Sequence, residues 1–193
     1  PQGFEARLGP HLLEPLRTLF NFKRKAVGGE SCFRWIFAET DGFPGLTVDV
    51  FDDTIVAPVQ TAPWELFWPA FEPLLLKAFR EATGPDANLR ALRNTPVRTK
   101  EGLEVVPLEG SVEGRWIPWN GFEWWLSPGG PQKTGAYLDQ KENHTAAATW
   151  AKRLGLKQAW DLCSFEGGFS LHLARAGLEV TAFDQSATAL ETL

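Results

Sequence analysis

The spacing of apolar residues changes three times along the chain, and each change marks a different kind of element. Over residues 4–26, Leu8, Leu12, Leu13, Leu16 and Leu19 or Phe20 recur at intervals of three and four, which predicts an amphipathic helix ending near Val27-Gly28-Gly29. Alternation takes over in Phe33–Phe37 and Leu46–Phe51, which flank the turn DGFPG, and Asp52-Asp53 marks a further turn before Thr54–Gln60. These three segments predict a small antiparallel meander. Helical spacing returns from Pro63 to Ala82, with Trp64, Phe67, Phe71, Leu74, Leu75 and Phe79 on one side and Gly84-Pro85 as the stop. Short strands are expected at Leu89–Arg93, Glu104–Pro107, Arg115–Pro118 and Phe122–Leu126, the last two joined by Asn120-Gly121 as a hairpin turn.

After Pro128-Gly129-Gly130-Pro131 the pattern becomes helix and strand in alternation. A helix over Leu138–Leu154 leads to a short strand, Ala159–Cys163, broken only by Asp161. Gly167-Gly168 then opens a helix carrying Phe169, Leu171, Leu173, Ala174 and Leu178, and Val180–Phe183 closes on Asp184. This is the β-α-β unit of a nucleoside-binding α/β sheet. The paired glycines let backbone approach a ligand at the helix N-terminus, and an acid at the next strand's tip can accept both hydroxyls of a ribose. An open parallel sheet needs further strands and helices on both faces, so a fragment of a longer protein is expected.

Composition adds limits rather than a function. The 193 residues are 44% hydrophobic and 22% charged, which places the chain among ordinary globular proteins and excludes a disordered class. A net charge of −5 argues against a nonspecific nucleic-acid binder, although Arg17, Lys23, Arg24 and Lys25 form a candidate basic patch. Cys32 and Cys163 are far apart, with no CxxC and no nearby histidine pair, and are expected to be reduced, buried thiols. No apolar run reaches the length of a membrane span and no signal-peptide pattern opens the chain, so a cytoplasmic protein is expected.

Four phrases in order carry a resemblance: ETDGFPGLTVDVFDD at 39–53, VRTKEGLE at 97–104, NGFEWWLSPGGPQKTGAYLDQKENH at 120–144 and DLCSFEGGFSLHLARAGLEVTAFDQSATAL at 161–190. Together they resemble the S-adenosylmethionine-dependent methyltransferases of large-subunit ribosomal RNA, in the branch that modifies C5 of cytosine in 23S rRNA. The resemblance implies an α/β chain: a small central α+β domain over 1–127, followed over 128–193 by the incomplete start of a class I Rossmann-like methyltransferase domain. An N-terminal PUA domain typical of such proteins is not in this sequence. Phe165-Glu166 stands where many relatives carry Tyr-Thr, Lys141 and His144 replace arginines, and Trp119 replaces an acid.

The resemblance implies S-adenosylmethionine as cofactor, 23S rRNA as substrate, and leaves a homodimer open. DLCSFEGG has no GxGxxG, which fits a donor without pyrophosphate. The expected cofactor set comprises Asp184 for the ribose diol with Gln185 and Ser186 beside it, Gly167 and Gly168 near the methionine moiety, and Asp161, Cys163 and Phe165 lining the pocket. Asp161 could hold the ammonium group through a charge-assisted hydrogen bond. Lys133, Tyr137, Gln140 and Asn143 are carried over as the segment that folds over the methionine end, against the alternative of a solvated polar helix face N-capped by Thr134. Tyr137, Gln140 and Lys141 or His144 are expected on one helix face. Cytosine C5 methylation needs a thiolate that adds at C6, an enamine that takes the methyl group, and a base that removes the C5 proton. Neither Cys32 nor Cys163 matches the family's nucleophile, which with the general acid is expected C-terminal to Leu193. Other bases or RNAs as targets, or a catalytically silent RNA-binding paralogue, stay open.

Overall fold

The computed structural model describes residues 2–107, 114–126, 136–191 and 193, without the side chains of residues 2–10 and Leu126. The chain forms two compact units, residues 1–135 and 136–193. The Pro128–Pro131 boundary, Lys133 and Thr134 all lie outside the described residues.

In the first unit, α1 (Gln2–Ala26) and α2 (Ala62–Thr83) pack together, and α1 also packs on β1 (Cys32–Phe37). β1 pairs antiparallel with β2 (Thr47–Phe51), and β2 pairs antiparallel with β3 (Thr54–Pro58), as the alternation predicts. The chain then crosses through α2 to β4 (Asn88–Leu92), which pairs parallel to β3, so the sheet is mixed and ordered β1-β2-β3-β4 rather than a three-stranded meander. Periodicity identifies a strand without naming its partner, and the 22-residue helix supplies the return path that a parallel pair requires.

The core of this unit is aromatic. Leu16, Phe20, Phe33, Trp35, Trp68, Phe71, Leu75 and Phe79 are buried together with Val48, Val50 and Ile55. Trp68 is inside α2's packed face and Phe67 is largely exposed, which corrects the expected stripe by one residue. The other side of the sheet holds an ion pair. Arg34 and Asp49 face each other in the β1–β2 register, and the guanidinium donates to both Asp49 carboxylate oxygens, at 2.8 and 3.2 Å.

The phrase at 39–53 shapes the turn between β1 and β2. Asp41 accepts the Phe37 N–H at 2.7 Å and Glu39 the Gly45 N–H at 3.2 Å. The expected basic patch is largely consumed by pairing: Lys23 meets Asp41 at 2.9 Å, Arg17 meets Glu81 and Glu14, and Arg24 donates to the Ala82 carbonyl oxygen. Residues 104–107 are not a strand. Buried Arg98, in a 3-10 turn at Pro96–Glu101, takes the Glu104 carbonyl oxygen at 2.7 Å, so that backbone acceptor serves a side chain instead of a ladder. Arg98 also donates to Glu65 and to the Val59 carbonyl oxygen, joining α2 to the end of β3. The hairpin of β5 (Arg115–Trp119) and β6 (Phe122–Leu126) forms as predicted, with Asn120 and Gly121 both at positive φ, and Trp119 stacks edge-on against Trp124 at 4.8 Å.

The second unit contains α3 (Lys141–Arg153), β7 (Gln158–Leu162), α4 (Gly168–Arg175), β8 (Glu179–Phe183) and α5 (Ala187–Glu191). β7 and β8 pair in parallel through α4, the β-α-β unit the sequence predicts. No helix among the described residues is long and apolar enough to cross a membrane.

Candidate functional site

The site is the loop from Cys163 to Gly167, at the C-terminal ends of two parallel strands, where open α/β sheets take their ligands. The loop is sharply folded. Cys163, Phe165 and Gly167 have φ of +64°, +50° and +79°, and only the last is glycine. Left-handed backbone costs about 1–2 kcal/mol at each non-glycine position, so something must hold it.

Two acids do so. Asp184, immediately after β8, accepts the Phe165 N–H on Oδ2 and the Ser186 N–H on Oδ1, both at 2.8 Å. These N–H donors, Ser186 foremost, hold the Asp184 carboxyl below its ordinary range, so it is ionised at neutral pH. Asp161 in β7 accepts the backbone N–H of Ser170 at 3.0 Å and its hydroxyl at 2.7 Å, capping the first turn of α4 from the neighbouring strand. The Ser164 N–H continues the β pairing to the Phe183 carbonyl oxygen at 2.9 Å, and the Gly167 N–H returns to the Ser164 carbonyl oxygen at 2.8 Å.

Behind the loop lies a ring cluster that no spacing in the sequence signalled. His144 of α3 is buried, sits edge-on to Phe169 at 4.6 Å and lies 5.3 Å from His172. A Cβ on Gly168 would collide with the His144 imidazole, so this glycine is required for α3 to approach α4. His172 Nδ1 lies 2.8 Å from the Gly168 carbonyl oxygen, which assigns the proton to Nδ1. Burial, reinforced by His172, pushes the His144 pKa down to about 4.

The predicted residues separate into three groups. Asp161, Phe165, Gly167, Gly168, Asp184 and Ser186 come together at the loop. Tyr137 joins them, its ring edge-on to Phe165 at 5.2 Å. Gln140 and Asn143 instead hydrogen-bond each other at 2.9 Å on an exposed stretch. The shared helix face does not exist as expected: α3 begins at Lys141, and residues 138–140 form a 3-10 turn, so Tyr137 precedes the helix. Cys163 is exposed, not buried, because its left-handed backbone turns it out of the strand; Cys32 is buried, and both are free thiols. Gln185 is exposed.

Two polar groups in the loop have nothing to bind. The Ser164 hydroxyl is buried, 7% exposed, and has no hydrogen-bond partner. Glu166 is half-buried, and burial alone pushes its carboxyl up to about 7. Unspent acceptors beside a strand-tip carboxylate fit a ligand with hydroxyl and cationic groups.

No family model matches the chain. It is 34% identical over 172 residues to ribosomal RNA large subunit methyltransferase I of Pseudoalteromonas translucida, which takes in 86% of this chain and 41% of that protein. The protein of the same name from Alteromonas mediterranea is 32% identical over 83% of this chain and 40% of its own length. By sequence the chain is a relative of the large-subunit rRNA methyltransferases. It spans about two fifths of the length of these curated relatives. Among solved structures, a putative methyltransferase complexed with SAH superposes with a TM-score of 0.66 at 19% identity, covering 93% of this chain and 46% of that one. A putative SAM-dependent methyltransferase from Streptococcus mutans gives the same score at 18% identity, covering 93% and 47%. The fold is therefore that of the corresponding part of a Rossmann-like methyltransferase.

Proposed function

We propose that the protein to which this chain belongs transfers a methyl group from S-adenosylmethionine to a base of large-subunit rRNA, at C5 of a cytosine in 23S rRNA. The observation that carries this reading is the Asp184-pinned loop at the ends of β7 and β8, in a chain about one third identical to named rRNA methyltransferases. When bound, the cofactor supplies an electrophilic methyl group. The residues of this chain bind and orient it. Asp184 receives the ribose hydroxyls on acceptor positions left beside its backbone donors, since each carboxylate oxygen has two lone pairs. Ser164 offers a buried hydroxyl, and Tyr137 backs Phe165 from the other side of the loop. Asp161, Gly167 and Gly168 fix the approach to α4, whose N-terminal N–H groups face the ligand end of the sheet. Lys133, Gln140 and Asn143 belong to the segment assigned to the methionine end.

Calorimetric titration of the full-length protein with S-adenosylmethionine tests the cofactor reading, with Asp184→Ala expected to weaken binding at least tenfold. Unchanged affinity in that variant would sink the assignment. Mass mapping of methylated nucleotides in rRNA from a deletion strain tests the base: loss of a 5-methylcytidine from 23S rRNA supports the reading, and loss of a methylated guanine replaces it.

A further inference from the structure

Glu166 stands out in the loop because its surroundings remove water without supplying a counter-charge. Its neighbours are fixed on both sides: the Phe165 N–H is held by Asp184 and the Gly167 N–H by the Ser164 carbonyl oxygen. α4 begins two residues later, at Gly168. Glu166 is half-buried, yet among the described residues its carboxylate has neither an ion-pair nor a hydrogen-bond partner. The adjacent Ser164 hydroxyl is in the same position, more deeply buried and also unpartnered. Removing a carboxylate from water is costly unless a cation or donor replaces the solvent. A loop that does this next to the ligand end of a parallel sheet is built for a positive group that arrives with the ligand.

We propose that Glu166 is a specificity-determining residue that reads positive charge on the bound cofactor, pairing its carboxylate with a cationic centre of S-adenosylmethionine at the loop. The inference rests on the cofactor reading above. It assigns to this chain a contact that a Thr at the same place, as in the proteins it resembles, could not make through charge.

The pairing has a pH signature. With its carboxyl pushed up to about 7 by burial, free Glu166 is partly protonated at neutral pH, and a bound cation draws the proton off. Affinity therefore rises with pH up to about 7 and levels off above it. The other titratable groups around the loop are Asp161, Cys163, Asp184, Tyr137, His144 and His172. None of them shifts Glu166, whose displacement comes from burial alone. His144, held down at about 4, stays neutral throughout this window.

The experiment is calorimetric titration of the full-length protein with S-adenosylmethionine and, separately, SAH, from pH 5.5 to 7.5 in buffers of differing ionisation enthalpy. The wild type is expected to bind S-adenosylmethionine roughly tenfold more tightly at the upper end and to release about half a proton per site near pH 7. Glu166→Gln should bind several-fold more weakly at pH 7.5, with a flat profile and no proton release. A pH-dependent preference for S-adenosylmethionine over SAH places the sulfonium against Glu166. Equal dependence for both ligands places the shared ammonium there. Either result supports the proposal. Tight, pH-independent binding by the wild type, or an unaltered profile in Glu166→Gln, overturns it while leaving the cofactor reading intact; no binding of either ligand overturns both. Proton release by the wild type is decisive even if the variant fails to fold.

Discussion

The two sheets of this chain treat their aromatic residues in opposite ways. In β1, β2 and β3 nearly every position is buried, with Trp35, Ile36, Val48 and Ile55 fully enclosed and the Arg34–Asp49 pair sealing the other side. β7 and β8 show strict alternation. Asp161 faces in, whereas Trp160, Leu162 and Phe183 stay 76%, 67% and 46% exposed on a bare face. Parallel strands are ordinarily covered on both sides, and here α4 covers one. The first unit is thus held by burial. The loop of the second is held by hydrogen bonds to two carboxylates, and so responds to charge and pH where the first responds to volume.

The strongest test exchanges one tryptophan from each sheet for alanine. Trp35→Ala opens a cavity among Phe20 and Phe79 and should cost about 3–5 kcal/mol, whereas Trp160→Ala should change stability by less than about 0.5 kcal/mol. Hydrogen-exchange mass spectrometry reads the two units separately. Comparable losses at both positions would break the contrast.

Next in size are two opposed pH dependences in the second unit. The His144 pKa falls from 6.5 to about 4 on folding, so the unfolded chain binds more protons and stability is lost as pH drops from 6.5 towards 4. For Glu166 the carboxyl rises from 4.5 to about 7, so the folded chain binds more protons and stability is lost as pH rises from 4.5 towards 7. Between pH 4.5 and 6.5 the two slopes oppose each other in the wild type. His144→Phe should expose the Glu166 slope and Glu166→Gln the His144 slope, each by roughly 2 kcal/mol across that interval. Denaturant melts at pH 4.5, 5.5 and 6.5 check the signs, and parallel profiles in both variants would refute the pairing of effects.

Arg98→Leu should cost about 2 kcal/mol in the first unit, because Glu65 and the Val59 and Glu104 carbonyl oxygens lose a shared charged donor. The smallest expected effect is that of Ser170→Ala, about 1 kcal/mol from a weakened Asp161 contact at the start of α4, confined to exchange in that helix.

Elements whose period is set by burial were legible: α1, α2, the β1–β3 order and the β7–α4–β8 unit all follow from where apolar residues recur. Partnerships across long separations were not, as the parallel docking of β4 on β3 shows. Within the site, Asp184 was legible from its position at a strand tip, but its grip on the Phe165 N–H depends on a left-handed backbone that composition does not announce. His144 and Glu166 were visible only as departures from a resembled pattern. Contact with Gly168 for the one, and loss of solvent without a partner for the other, exist only once α3, α4 and the loop are assembled.

The double anchoring of the loop bears on how fast and how cheaply it can engage a ligand. Because Asp184 and Asp161 already hold Phe165, Ser186 and Ser170 in place, little conformational entropy remains to be surrendered at these backbone positions on binding. Association at this loop should behave as lock-and-key docking, with backbone displacements below about 1 Å between free and bound states.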